Sequence, residues 1–288
     1  MTNVERNVVY GMHSGLALLM DVYHPENPKE FGVVYINGSG WHAPLSYDAG
    51  ALKETPLGLP YIEAMQAGGY TVFAINHRQA PRFRYPAAVL DAQRAVRFVR
   101  HNAARFGVSA EQIGACGGSS GGHLVSLLGT LPGDGDASDP DPVNRESARV
   151  QCVVARAAPV DLAKHVTATS ADFMGMIPRG EAGGAYRTEQ RTYADASPLN
   201  HVSSNSAPFL ILAGTMDTTV LPEQATFMQD ALENAGVPVE VIWIEGAGHG
   251  PHFPGAINPP DYLGALVRWF DRRLAPVAVG AAATGRTE

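Results

Sequence analysis

A chain of 288 residues, 45% hydrophobic and only 17% charged, can bury one large core, so a single domain over 1–275 is expected, with a frayed tail of small residues at 276–288. A formal charge of −7 argues against nucleic acid as a partner, which would call for clustered Lys and Arg. No apolar run approaches the roughly 18 to 20 residues that cross a bilayer, and residues 1–6, MTNVER, lack the basic-then-apolar order of a signal peptide, so a cytoplasmic protein is expected.

The first two β-prone runs, 16–23 (LALLMDVY) and 31–36 (FGVVYI), are separated by a proline-bearing turn and read as an antiparallel edge. The second run stops at 37–41, NGSGW, a glycine-rich turn whose backbone can come close to a ligand. Residues 42–59 read as a long irregular loop bordering a cleft, together with Trp41. A short helix over 61–67 and a buried strand over 70–76 begin a βαβ alternation. Pro86 is well placed to open the next helix, whose apolar stripe runs through Val89, Ala92, Val96 and Val99 before Gly107 stops it.

Residues 113–124, IGACGGSSGGHL, are the centre of the chain: an apolar run stops at glycines and restarts as a helix, with serine at the apex. A serine hydroxyl is a poor nucleophile unless a constrained turn exposes it beside a base and beside N–H groups that hold an oxyanion. Two registers satisfy G-x-S-x-G, one centred on Ser119 and one on Ser120. The two cysteines, Cys116 and Cys152, lie in apolar runs without CxxC or Cys/His spacing and read as buried free thiols. The aspartates at 134, 136, 139 and 141 lack the EF-hand spacing and read as a solvated loop, so no metal is expected.

A buried strand over 150–155 is followed by the least regular stretch, 162–201, where Phe173, Met174 and Met176 form a soft apolar cluster. The apolar run 208–213 leads to Asp217, and the run 239–244 leads to His249 in GAGHG. Parallel strands place such loops on one rim, so Ser119, Asp217 and His249 can meet although they are far apart in sequence. His123, His252 and Asp195 are the competitors for the base and acid roles.

The segment GGSSGGHL resembles the G-x-S-A-G-G-H-L elbow of α/β-hydrolase-fold serine esterases, in the branch that includes hormone-sensitive-lipase-like carboxylesterases, bacterial feruloyl esterases and arylformamidases. NGSGW resembles that family's His-Gly-Gly-Gly-Trp loop, with Asn37 for the histidine and Ser39 for the middle glycine. NHRQAP at 76–81 and YPAAVLD at 85–91 resemble two further stretches, Asp91 being expected as a structural anchor. The serine–aspartate–histidine order also fits.

The resemblance implies an α/β fold with a mostly parallel central sheet, helices on both faces and a small cap or lid within 162–201, where Phe173, Met174 and Met176, with Trp41, would meet an ester's acyl or alcohol group. It makes Ser119 the nucleophile, Asp217 the acid and His249 the base, with the backbone N–H groups of Ser39, Gly40 and Ser120 holding the oxyanion. It implies a serine carboxylic ester hydrolase for small to medium esters, needing no cofactor. An arylformamidase-like amide hydrolase and a non-catalytic ligand-binding homologue are the alternatives.

Overall fold

The computed structural model describes residues 3–175 and 186–275. In chain order the elements are β1 (Asn3–His13), β2 (Leu16–His24), β3 (Gly32–Ile36), α1 (Leu59–Ala67), β4 (Thr71–Ile75), α2 (Ala87–His101), α3 (Ala103–Phe106), β5 (Ile113–Gly118), α4 (Ser120–Thr130), β6 (Val153–Arg156), α5 (Ala168–Met174), α6 (Tyr186–Ala196), β7 (Phe209–Gly214), α7 (Glu223–Asn234), β8 (Val239–Ile244) and α8 (Tyr262–Leu274). The strands form one eight-stranded sheet in the order β1-β2-β4-β3-β5-β6-β7-β8. From β4 onward every neighbouring pair is parallel.

Strands β3, β4, β5, β6 and β7 are buried at every position, as unbroken apolar runs require when helices cover both faces. Alternation along β3 sorts the faces: Val34 and Ile36 join the core beneath α2, α4 and α7, while Val33 and Tyr35 join the one beneath α1 and α8. Helix α8 shows how an end element is held. Asp261 caps it by accepting from the Gly264 N–H at 2.8 Å, and Leu266, Trp269, Phe270 and Leu274 present one buried stripe. Each such side chain contributes roughly 1.5–3 kcal/mol on burial. Cys116 and Cys152 are buried free thiols, and among the described residues no helix is long and apolar enough to cross a membrane.

The antiparallel edge differs from the expectation. β2 pairs with β1 and β4 rather than with β3, and β3 lies inside the sheet between β4 and β5. The hairpin partner, β1, carries two register shifts and a positive φ at Asn7, and its exposed and buried residues alternate poorly, which hides it from a period-two reading. The loop at 42–59 is tied to this edge. The buried Lys53 ammonium lies 2.8 Å from Asp21 Oδ1, and the Lys53 N–H donates to Asn76 Oδ1.

Candidate active site

The parallel strands bring their C-terminal ends to one rim, where residues 37–41, Ser119, Asp217 and His249 follow β3, β5, β7 and β8. Ser119 sits between β5 and α4 with φ 54° and ψ −124°, a strained conformation worth of order 1–3 kcal/mol. Glycines permit the turn. A Cβ on Gly117 would lie 2.5 Å from Gly121 O, and one on Gly121 would lie 2.1 Å from Ile36 O. The Ser119 N–H is donated to the Arg156 carbonyl at 2.8 Å, which fixes the apex to β6.

Ser119 Oγ lies 3.0 Å from His249 Nε2, and His249 Nδ1 lies 2.7 Å from Asp217 Oδ2. Asp217 is buried, and its other oxygen accepts the N–H groups of Thr219 and Val220, both at 2.9 Å. Burial alone would raise its pKa, but the bond from His249 and these backbone donors outweigh it and hold the carboxyl below the usual carboxylate range. Asp217 is thus held as an anion, placed to take a proton from Nδ1 of the ring whose Nε2 faces Ser119. Ser120 lies one position on, buried, with its hydroxyl turned away from any histidine toward residues 37–41. His252 is exposed, and the Asp195 carboxylate lies 4.0 Å from Arg191 Nε rather than on His249, whose ring bonds Asp217.

The loop at 37–41 presses on the elbow: a Cβ on Gly38 would lie 2.7 Å from Gly118 O and 2.9 Å from Ser119 Cβ. Gly40 and Trp41 both take positive φ, of 63° and 58°. Asn37, in place of the family's histidine, is buried and donates its amide to Leu52 O at 3.0 Å. Ser39 Oγ accepts from Gln79 Nε2 at 3.1 Å, and the same amide group reaches His42 O at 2.8 Å. Gln79 is steadied by its neighbour Arg78, which makes a bidentate buried pair with Asp91. The Ser39 N–H is donated to Ser120 Oγ at 2.9 Å, whereas Gly40 N–H and Ser120 N–H have no acceptor among the described residues.

The BD-FAE family model matches residues 20–232, about three quarters of the chain, a range that holds Ser119 and Asp217 and ends before β8 and His249. The chain belongs to the BD-FAE family. It is 28% identical over 250 residues to esterase LipC of Mycobacterium tuberculosis, covering 85% of this chain and 59% of that one. It is 30% identical over 192 residues to the ethyl acetate hydrolase of Pseudomonas putida, covering 64% and 57%. A solved carbohydrate esterase from gut microbiota, in truncated form, superposes with a TM-score of 0.76 at 27% identity, over 95% of this chain and 96% of that one. This chain spans about half the length of the curated relatives it matches. The fold is that of α/β-hydrolase esterases.

Within this BD-FAE frame three expected substrate contacts are corrected. Trp41 and Phe173 are each 1% exposed and Met174 is 5% exposed. Trp41 stacks on Phe173 with centroids 4.9 Å apart, and its indole N–H donates to His123 Nδ1 at 3.1 Å. Apolar rings beside a glycine turn gain more from packing against α4 and α5 than from facing an open cleft. Met176 lies outside the described residues.

His123 shares this packing role. Its Nε2–H donates to Ala196 O at 2.8 Å, and burial pushes its pKa down to about 4. An unfolded histidine, near 6.5, takes up a proton that folded His123 refuses until about pH 4, so stability falls as pH drops through this window. The loss from this residue is on the order of 3 kcal/mol. We expect His123→Gln to melt lower than the parent at neutral pH but to lose less Tm between pH 7 and 5, as read by calorimetry. Parallel Tm decline in the two proteins would contradict this.

The BD-FAE chain also holds site residues that the sequence reading passed over. Arg156 is buried, pairs with no carboxylate among the described residues, and donates from Nη1 to Gly250 O at 2.8 Å, next to His249. Its guanidinium fills the space above Gly118 and lies 5.8 Å from the Tyr61 ring centroid, while Tyr61 OH donates to Pro251 O at 2.6 Å. Arg156 therefore holds Ser119 through its carbonyl and the histidine loop through its side chain. We expect Arg156→Met to cut kcat by about 10- to 100-fold with KM little changed, and Arg156→Lys to recover part of it, in steady-state kinetics. An arginine ending an apolar strand looks solvated in sequence, which is why it escaped notice. His165, half-buried after β6, is a second addition: burial lowers its pKa first, and the charge of His249 lowers it further.

Proposed function

We propose that this chain is a carboxylic ester hydrolase that works through Ser119, His249 and Asp217. The observation that carries the reading is the continuous set of bonds from Ser119 Oγ through His249 to Asp217 on a strained turn. As the Ser119 oxygen attacks the ester carbonyl carbon, its proton passes to His249 Nε2, and ionised Asp217 stabilises the imidazolium and keeps the ring oriented. The tetrahedral oxyanion forms against the free N–H groups of Gly40 and Ser120. His249 then gives its proton to the leaving alcohol, and water repeats the sequence in reverse roles to release the acid.

The substrates are small to medium esters. Helix α5 acts as part of a cap: Thr169, at its start, stands 3.3 Å from where a Cβ on Gly40 would lie, and Asp172 approaches His42 at 4.0 Å. Beside the loop a groove of about 580 Å³, lined by Leu45, Tyr47, Gln79, Arg82 and Phe83, has room for a ring on one side of the ester. The pure protein should turn over p-nitrophenyl acetate and butyrate. In a panel with methyl ferulate and N-formylkynurenine, the esters should be favoured. Preference for the formamide would reassign the chain to amide hydrolysis, and absence of any turnover would leave a ligand-binding homologue.

A further inference from the structure

We propose that the Ser120 side chain is itself an oxyanion donor, aimed and polarised by the Ser39 N–H. The proposal rests on the hydrolase reading above and deepens it. In the elbow that this sequence resembles, the residue after the nucleophile is alanine and contributes only its backbone. Here the position carries a hydroxyl that is 1% exposed and accepts the Ser39 N–H at 2.9 Å.

A serine hydroxyl has one proton to give and two lone pairs. One lone pair is taken by Ser39, and among the described residues the proton has no acceptor, although Ser126 and Thr130 on the same helix donate theirs to backbone carbonyls. A buried donor without an acceptor is costly, by about 1–3 kcal/mol, unless something arrives to take it. The surroundings say what arrives. The Ser120 N–H, at the positive end of α4, and the Gly40 N–H also lack acceptors, and Gly38 is pressed against Ser119 Cβ, so uncommitted donors lie on both sides of the nucleophile.

The relay therefore runs from Ser39 N–H to Ser120 Oγ and from the Ser120 O–H to the oxyanion. Donation into Oγ makes its own O–H a better donor, since hydrogen bonds in a chain polarise one another. Ser39 then acts through Ser120 rather than by touching the oxyanion, a role that needs only the backbone amide at 39. The Ser39 side chain is separately engaged by Gln79.

The test is Ser120→Ala, which keeps the backbone N–H and removes only the oxygen. With p-nitrophenyl butyrate, kcat should fall by about 100-fold while KM stays within about threefold. The inhibition constant of a trifluoromethyl ketone, whose hemiketal on Ser119 carries the oxyanion, should weaken in the same proportion as kcat/KM, with Tm unchanged. A variant within about threefold of the parent in both kcat and inhibition constant would overturn the proposal and leave the backbone N–H as the only contribution of residue 120. So would a loss in which KM and Tm move with kcat while the ratio of inhibition constant to KM holds, the mark of a purely structural anchor. Ser119→Ala is measured beside it: if that variant still turns over, the hydrolase mechanism itself fails, whereas an inactive Ser119→Ala with an unimpaired Ser120→Ala removes the relay alone.

Discussion

Replacing Ser119 by alanine is expected to leave a folded protein whose ester turnover is reduced by about 10⁴-fold or more. The hydroxyl is the atom to which the rest of the site is fitted, lying 3.0 Å from His249 Nε2 while Asp217 holds the far side of the ring at 2.7 Å. Removing it deletes no packed atoms and relieves none of the glycine contacts that shape the turn. Its φ of 54° persists because the backbone bonds to Arg156 O and from His123 N–H are independent of the side chain. The melting temperature should stay near that of the parent, and binding of a substrate-like ketone should lose its covalent component. Retained turnover at a tenth of the parent rate or better would move the nucleophile elsewhere.

Gly121→Ala should damage both activity and stability. A Cβ at this position would lie 2.1 Å from Ile36 O and 2.7 Å from Asn37 O. Both neighbours are backbone atoms of β3 and the loop after it, so no flexible side chain can give way. The added methyl must push residues 36–40 off the elbow, which carries the Gly40 N–H away from Ser119. Overpacking of this kind costs about 1–3 kcal/mol, and a displacement near 1 Å in a positioned catalytic group costs about 100-fold in rate. We expect a lower Tm together with a fall in kcat of at least that order, measured by calorimetry and p-nitrophenyl acetate hydrolysis. A variant with parent Tm and kcat would mean that the loop does not have to approach the turn this closely.

Much of this was legible from residue types. The apolar runs at 70–76, 150–155 and 208–213 lie over β4, β6 and β7 because a strand buried on both faces needs no polar alternation. The loop bearing Ser119 stands out because glycine is demanded wherever backbone must approach backbone, and such glycines surround Ser119. What the residues could not reveal was partnership across the fold. The pairing of β2 with β4 depends on a crossover, and β1 is broken by bulges. Trp41 and Phe173 read as cleft residues because aromatic rings near a glycine loop suit both roles, and only their burial against His123 decides between them. Arg156, Gln79 and the Ser120 hydroxyl owe their importance to atoms 40 to 94 positions away, and no local pattern marks them.

The central claim, that an acyl group is carried on Ser119, is tested most directly by mixing the protein with excess p-nitrophenyl acetate, following the first turnover, quenching in acid and mapping the acetyl group by peptide mass analysis. A burst of p-nitrophenol equal to about one per chain is expected where deacylation is the slower step, with an acetyl group on the Ser119 oxygen that is absent from Ser119→Ala. Acetyl on Ser120, or turnover with no acyl-enzyme trapped at any serine, would contradict it.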